Sequence, residues 1–291
     1  ARRTILASGA IERGIAFGNN DRPGVMLAGA MRSYVNRFAA CPGQSIAVFT
    51  AHDDGWRTAI DLKNKGLEIA AIIDVRRKNT IKNIHKDLKG IRIIPEEQII
   101  DVQGRLSVRS ISLMNGERLD VNGVAVTGGW NPSLHLACQK QGRPVWREDL
   151  ATFVANHNDL PSDMTLAGAV NGYFSTASAL KDGKMGGSNA AQSLGYTPAI
   201  CDLPKTEDGP INITPFWWVQ ASKKRAWVDY QNDVTTKDIV LAMQEGFRSA
   251  EHVKRYTTLG MAPDQGKISN VIGLGIMSKV ANQTMKDIGT T

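Results

Sequence analysis

Residues 45–74 read SIAVFTAHDDGWRTAIDLKNKGLEIAAIID, and this stretch decides the fold. Ser45–Phe49 is a short apolar strand, apolar residues then recur at helical spacing over residues 56–63, and Gly66 stands where a glycine commonly ends a helix. Leu67–Ile73 is a second apolar strand. Because two parallel strands need a crossover connection, and such crossovers are right-handed, the stretch predicts a βαβ unit within an α/β fold.

The turn after the first strand has the position of a dinucleotide-binding fingerprint but lacks most of its glycines. The G-x-G-x-x-G pattern lets the backbone approach a pyrophosphate at a helix N-terminus. Only the third glycine remains, as Gly55, and His52 carries a side chain where the pyrophosphate would lie. Asp53 and Asp54 add negative charge at the positive end of the helix, and Asp74 ends the next strand. We therefore expect the unit Ser45–Asp74 to keep the dinucleotide-binding fold but to bind no nucleotide itself.

Outside this unit, an apolar strand that ends in glycine occurs twice. Residues 4–9 form the first, and Val124–Thr127 followed by Gly128-Gly129 forms the second. Between them, residues 91–124 read as short strands, with Asn115-Gly116 as a strong hairpin signal. The repetition indicates equivalent elements of two related domains.

We predict a Rossmann-like flavoprotein fold with two dinucleotide-binding domains, followed by a small helical module. Residues 1–44 and 125–197 form part of the first domain, whose N-terminal half is missing. Residues 45–124 form the second domain, with the degenerate fingerprint, and residues 198–291 form a linker and the helical module. The chain opens on Ala1 rather than Met, and we interpret it as a fragment of a longer reading frame.

Composition argues against several classes of function. The 35 basic and 28 acidic residues are scattered, and the tight basic groups are Arg76–Lys78 and Lys223–Arg225, so we expect no nucleic-acid binding. No apolar run is long enough to span a membrane, and no signal peptide is evident. The three cysteines, Cys41, Cys138 and Cys201, form no CxxC pair and fit a reducing, cytoplasmic compartment.

Small residues mark a candidate cofactor site. Ala7–Gly9 and Leu166–Gly172 both follow apolar strands, where small residues let the backbone approach a dinucleotide and free amides at a helix start suit a phosphate. No aspartate stands beside Gly168, which removes an acceptor for a ribityl hydroxyl and argues against FAD but not against NAD. The predicted cofactor-binding residues are Ala7, Ser8, Gly9, Gly128, Gly129, Gly168, Ala169 and Gly172.

The C-terminal tail resembles a small [2Fe–2S] module of the bacterioferritin-associated-ferredoxin type. The shared phrases are Asp233–Thr235, Lys254–Thr257, Gly260-Met261 and Gln265-Gly266. The cluster-ligand positions of such a module fall on Asp229, Gln231, Asp264 and Ser269. Because iron–sulfur clusters are held by cysteine thiolates, we predict a structural module without a cluster or other metal.

Four segments together resemble the alpha subunit of heterotetrameric sarcosine oxidases. They are Ala7–Arg13, Asn20–Ala30, Gly128–Pro132 and Asp229–Lys267, and the resemblance covers nearly the whole chain. It implies an alpha chain that binds NAD, a beta chain that carries FAD, FMN at the interface between the two, and further gamma and delta subunits. It also implies a C-terminal domain that binds tetrahydrofolate, which these 291 residues lack.

The resemblance implies oxidative demethylation of sarcosine to glycine, with one-carbon transfer to tetrahydrofolate and formation of hydrogen peroxide. It places the amine chemistry on the beta chain, so we assign no catalytic residue. The histidines show neither metal-ligand spacing nor paired acids: His52, His85, His135, His157 and His252. Two alternatives remain: a scaffold subunit without a cofactor, and an alpha subunit that serves opines or other secondary amines. The absent CxxC disfavours a stand-alone pyridine-nucleotide:disulfide oxidoreductase.

Overall fold

The structure is a computed structural model that describes residues 1–81, 88–139, 142–199, 201–206 and 211–290. The chain divides into two compact units. The smaller unit comprises residues 1–11 and 130–211, and the larger unit comprises residues 12–129 and 212–291. Two of the three divisions fall inside short strands, β2 (Ala10–Arg13) and β11 (Gly129–Pro132), and the third lies between residues 211 and 212.

A parallel sheet forms the centre of the larger unit. Its strand order is β3 (Val25–Leu27), β10 (Gly123–Thr127), β4 (Ser45–Thr50), β5 (Glu68–Asp74) and β6 (Ile93–Pro95). Helix α2 (Asp53–Asn64) joins β4 to β5, which confirms the predicted βαβ unit and the α/β fold class. Val48 is buried in a core cluster with Trp56 of α2, whereas its neighbour Phe49 is buried in a separate cluster. Because the sheet is covered on both faces, its central strands read as continuous apolar runs.

An antiparallel sheet packs within the same cluster as Phe49. Its strands are β7 (Ile99–Gln103), β8 (Ser110–Leu113) and β9 (Arg118–Asp120). The predicted hairpin at Asn115-Gly116 is confirmed between β8 and β9, and Gly116 adopts φ +90°. Glycine is favoured there because a left-handed backbone is costly for residues with a β-carbon.

The C-terminal part of the larger unit is a small hairpin followed by helices. These elements are β15 (Trp227–Asp229), β16 (Val234–Thr235), α4 (Thr236–Gln244), α5 (Ala250–Thr257), α6 (Asn270–Ala281) and α7 (Met285–Ile288). Thr235 and Asp238 form a capping box at the start of α4, and Ser249 caps α5. Each cap satisfies amide groups that the helix itself leaves without partners.

The smaller unit is built around two parallel strands. Its elements are β1 (Thr4–Leu6), β12 (Val145–Arg147), β13 (Thr152–Val154), β14 (Met164–Leu166) and α3 (Thr176–Ser193). Strands β1 and β14 pair in parallel with Leu6 opposite Leu166, and β12 pairs with β13 in an antiparallel hairpin. The parallel pairing places the carboxyl ends of β1 and β14 at one edge.

The unit boundaries differ from the predicted domain boundaries. Residues 12–44, predicted in the first domain, lie in the larger unit, because β3 pairs with β10 and Met31 of helix α1 (Ala28–Phe38) is buried in the Trp56 cluster. Residues 212–291, predicted as a separate linker and module, lie in the same unit. Which unit corresponds to which dinucleotide-binding domain stays a prediction.

Candidate functional site

The turn after β4 is filled by its own side chains. His52 is fully buried, its Nε2 lies 2.7 Å from Thr127 Oγ1, and its Nδ1 accepts a hydrogen bond from the Asp54 amide at the start of α2. Burial, aided by nearby arginines, lowers the pKa of His52 to about 3, so the imidazole is neutral. Since Nδ1 accepts, Nε2 carries the proton and donates to the Thr127 hydroxyl.

Thr127 links His52 to a second buried group, Glu12. Glu12 Oε2 accepts from the Gly29 amide at 2.7 Å, in the first turn of α1, while Oε1 is buried without a hydrogen-bonding partner among the described residues. Burial raises the pKa of Glu12 to about 7, and the nearby Thr127 hydroxyl and the Gly29 amide oppose the rise without cancelling it. The turn is therefore surrounded by buried polar groups, one of which is a carboxyl group with a pKa near 7.

The acid at the end of β5 is also occupied. Arg76 and Asp74 are fully buried, and the guanidinium donates to both Asp74 oxygens, with Nη2 at 2.7 Å from Oδ2 and Nε at 3.0 Å from Oδ1. Arg76 Nη1 reaches Asp53 Oδ1 at 2.6 Å. Burial lowers the pKa of Arg76, but its hydrogen bonds and the charges of both aspartates outweigh that effect, and the net shift is upward. Asp74 is therefore committed to Arg76 rather than available to a ribose.

A short segment, residues 212–214, lies across this turn and is called the strap below. The Asn212 amide donates to Asp53 Oδ2 at 2.8 Å, and the Asn212 carbonyl accepts from Arg76 Nη1 at 2.8 Å. Ile213 forms a β-bridge with His52, and the Thr214 amide donates to the Ala51 carbonyl. The backbone of the strap thus takes the hydrogen-bonding positions beyond the carboxyl end of β4.

Gly55, the surviving fingerprint glycine, has a packing role in this structure. A β-carbon at Gly55 would collide with the side chain of Thr50, so the residue is required for close approach of α2 to β4. Gly128 and Gly129 are similar, because β-carbons there would meet the Gly14 carbonyl and the Arg13 guanidinium. These glycines permit tight packing within the larger unit, and their presence by itself is no sign of a ligand.

Six of the predicted cofactor-binding residues lie in the smaller unit, beyond the carboxyl ends of β1 and β14. They are Ala7, Ser8, Gly9, Gly168, Ala169 and Gly172. The Ala167 amide donates to the Leu6 carbonyl at 2.9 Å and keeps the two strand ends adjacent. Gly9 adopts φ +73° with no atom within 4 Å of where a β-carbon would lie, and Gly168 adopts φ +79° with only the Ala179 β-carbon near, at 3.8 Å. This edge of the smaller unit is therefore open, whereas the turn after β4 is filled by side chains and by the strap.

The expected helix start at Gly168-Ala169 is wrong in one respect. Gly168–Asn171 is a single 3-10 turn, and α3 begins later, at Thr176, with Ser175 as its cap. The Gly168 amide does not point to open space, because it donates to Asp182 Oδ2 at 2.8 Å. No helix N-terminus is therefore presented to a phosphate at Gly168.

Sequence reasoning missed Asp182, although a signal existed. Ala179, Asp182 and Gly186 recur at helical spacing on α3, and Gly186 is the buried residue of that helix. A β-carbon on Gly186 would lie 3.7 Å from the Ala167 side chain, so this face turns toward the end of β14. Because Asp182 lies between Ala179 and Gly186 on the face of α3 that packs against the sheet, the sequence indicates that its carboxylate is held near the strand ends.

Three of the four cluster-ligand positions of the C-terminal module are joined by hydrogen bonds, whereas Asp264 accepts from the Gly266 amide. Asp229 is buried; its Oδ1 accepts from the Gln231 and Asn232 amides at 3.0 and 3.2 Å, and its Oδ2 accepts from the Gly260 amide at 2.8 Å. Ser269 Oγ lies 3.5 Å from the same Oδ2. One carboxylate thus holds together the loops that carry thiolate ligands in a cluster-binding module. The absence of a cluster stays a prediction.

The remaining candidates give no further site. Among the described residues, no group of three or more His, Cys, Asp and Glu side chains could hold a metal ion. His85 lies outside the described residues. The three cysteines are free thiols, with Cys41 and Cys201 exposed. Within the described ranges, no helix is both long and apolar enough to cross a membrane.

The fold defines a class, the α/β proteins with a Rossmann-like dinucleotide-binding fold. The chain is similar to L-proline dehydrogenase from P. horikoshii, with a TM-score of 0.74 and 19% identity over 100% of this chain and 56% of that one. It is also similar to thioredoxin reductase from T. acidophilum, with a TM-score of 0.51 and 19% identity over 67% of this chain and 65% of that one. These likenesses confirm the predicted fold.

Sequence similarity is higher to sarcosine oxidase alpha subunits. The chain is 37% identical to sarcosine oxidase subunit alpha from Rhizobium meliloti (strain 1021), over 100% of this chain and 29% of the relative. It is 36% identical to the same subunit from Corynebacterium sp. (strain P-1), over 100% of this chain and 32% of the relative. Residues 223–291 match the family described as the sarcosine oxidase A3 domain. The predicted resemblance to sarcosine oxidase alpha subunits is confirmed, and the chain spans about a third of the length of these relatives.

Proposed function

We propose that this chain is part of the alpha subunit of a sarcosine oxidase-type amine oxidoreductase and that its smaller unit contributes to an NAD site. Similarity along the whole chain to subunits of that name supports the activity. In the proposed reaction, sarcosine, oxygen and water give glycine, hydrogen peroxide and formaldehyde. Where tetrahydrofolate captures the one-carbon unit as its methylene derivative, a water is released again and no net water is consumed. Amine oxidation belongs to a partner beta chain with FAD, with FMN at the interface of the two chains; gamma and delta subunits complete the complex.

The observation that supports NAD binding is the open edge beyond β1 and β14. Ligands of α/β sheets bind beyond the carboxyl ends of parallel strands, and a dinucleotide needs close backbone approach there. Gly9 and Gly168 provide that approach, since neither has its β-carbon position blocked by backbone. The turn after β4 offers no such space, because Asp53, Arg76 and the strap fill it. A bound nicotinamide ring supplies hydride chemistry; the residues named here bind and orient the dinucleotide.

A test of the NAD site compares two glycine replacements in the full-length subunit within its complex. Gly168→Asn places an amide side chain at the open edge, and asparagine tolerates the positive φ of this position. Gly195→Asn is the matched control, because Gly195 also has a positive φ of +84° and free space around it. It lies past the end of α3, where Ser193 contacts Arg3 at the amino end of β1.

We expect co-purified NAD, measured after acid release, to fall at least tenfold in Gly168→Asn and to stay at the wild-type level in Gly195→Asn. Full NAD in both variants would show that the site lies elsewhere. A wild-type complex that holds no NAD and whose flavin is not reduced by sarcosine would instead favour the scaffold alternative.

A further inference from the structure

The open edge of the smaller unit carries one carboxylate, that of Asp182. Its Oδ2 accepts from the Gly168 amide at 2.8 Å and from Asn171 Nδ2 at 3.3 Å. Its Oδ1 has no hydrogen-bonding partner among the described residues, and the side chain is partly exposed. The two contacts fix one oxygen of the carboxylate, which leaves the other oxygen as a positioned, unused acceptor.

This arrangement discriminates between the parts of a dinucleotide. A carboxylate can only accept hydrogen bonds, and its negative charge repels a phosphate. The Gly168 amide, which would otherwise suit a phosphate, is already bound to Asp182. Within the described ranges, no Lys or Arg forms an ion pair with Asp182 that would offset its charge. A hydroxyl group, which donates, is the complementary partner.

We infer that Asp182 binds a ribose hydroxyl of NAD through Oδ1 while Oδ2 remains on the Gly168 amide. The inference rests on the proposed NAD site and adds to it which part of the cofactor lies at this edge: a sugar rather than the pyrophosphate. Asp182 thereby supplies, from helix α3, the acceptor that is missing next to Gly168 in the sequence. The 3-10 turn Gly168–Asn171 then acts as a support that orients the carboxylate.

The test is a thermodynamic cycle in the full-length complex stripped of nucleotide. The probes are NAD and a set of analogues that each lack one hydroxyl of one ribose. The variant is Asp182→Asn, which removes the charge and one acceptor while retaining an oxygen for the Gly168 amide. Asp202→Asn, at an exposed position beyond α3, is the control.

We expect Asp182→Asn to weaken NAD binding by about tenfold to a hundredfold, as for loss of a charge-assisted hydrogen bond. The analogue that lacks the hydroxyl bound by Asp182 should bind wild type more weakly than NAD does, by a similar factor. The same analogue should bind Asp182→Asn no more weakly than it binds wild type. Asp202→Asn should leave every affinity unchanged. If Asp182→Asn fails to fold, Asp182→Glu, which displaces the carboxylate by one methylene, serves in the same cycle.

Two outcomes overturn the inference and one concerns the proposed function. If wild type binds NAD and the Asp182 variant binds it equally well, Asp182 does not contact the cofactor. If removing each hydroxyl from NAD lowers the affinity by the same factor in wild type and in Asp182→Asn, Asp182 supports the fold of the site but does not contact a hydroxyl. If wild type binds no NAD at all, the proposed NAD site itself fails, which the first measurement shows before any variant is made.

Discussion

The turn after β4 and the strand ends of β1 and β14 both lie at the carboxyl ends of parallel strands, yet they differ in what fills them. Beyond β4, Arg76, Asp53 and the strap hydrogen-bond with one another, so Arg76 Nη1 and the Asp53 amide are both occupied. Beyond β14, Asp182 is held by Gly168 and presents an unused oxygen. The comparison teaches that a glycine near a strand end is informative only together with the polar groups that face it.

The largest expected effect concerns the closed turn. Arg76→Ala should leave Asp74 buried without its partner, which costs about 3–5 kcal/mol of local stability. Hydrogen exchange of the Asp53 and Thr214 amides, both bonded across the turn, should accelerate a hundredfold or more.

The control for this experiment is Arg118→Ala. Arg118 is largely exposed and lies 3.8 Å from the exposed Asp120, so its loss should leave the same amides unchanged. Unaltered exchange in Arg76→Ala would mean that the strap is held by packing and that the buried ion pair does not close the turn.

A second effect is a pH dependence from Glu12. The pKa of this carboxyl is raised by burial from 4.5 to about 7, so the folded chain retains a proton that the unfolded chain loses. Stability should therefore fall as pH rises through the window from 4.5 to 7, by about 3 kcal/mol in total.

Glu12→Gln should remove this dependence and slow exchange of the Gly29 amide at pH 8 relative to wild type. Glu245→Gln, at an exposed position, should keep the wild-type pH profile. A profile that is the same for wild type and Glu12→Gln would show that Glu12 ionises normally and that the polar chain to His52 is hydrated.

The smallest expected effect sharpens the comparison most directly. Asp53→Ala combined with Asp54→Ala removes both acids from the turn, yet it should change the NAD dissociation constant of the full-length complex by less than twofold. In the same assay, Gly168→Asn should weaken NAD binding strongly. A large change in the double variant would show that the turn after β4 contacts the dinucleotide after all.

Patterns of residues close together in the sequence were sufficient to predict these helices and strands. Apolar periodicity predicted β4, α2 and β5, and turn chemistry predicted the hairpin at Asn115-Gly116. These features depend on residues a few positions apart. The fold class could therefore be predicted from the sequence.

Features that depend on distant residues could not be predicted. Strand β3 is only three residues long, and its pairing with β10 is what places residues 12–44 in the larger unit. Asp182 is 14 positions from Gly168, and Asn212 is 159 positions from Asp53. No local propensity encodes such contacts, since they depend on how whole elements pack. For Asp229, the sequence identified the position but not the hydrogen bonds that it makes.

The strap also sets an order of events during synthesis. Residues 130–211 form the smaller unit and separate the strap from the sheet that it closes. A chain that emerges from the ribosome can therefore build the βαβ unit early, but the turn after β4 stays open to water until Asn212 has been made. Closing so long a loop carries an entropic cost that must be met before the new contacts form. We therefore expect the larger unit to be completed late in folding, because the hydrogen bond from Arg76 to the Asn212 carbonyl can form only at that stage.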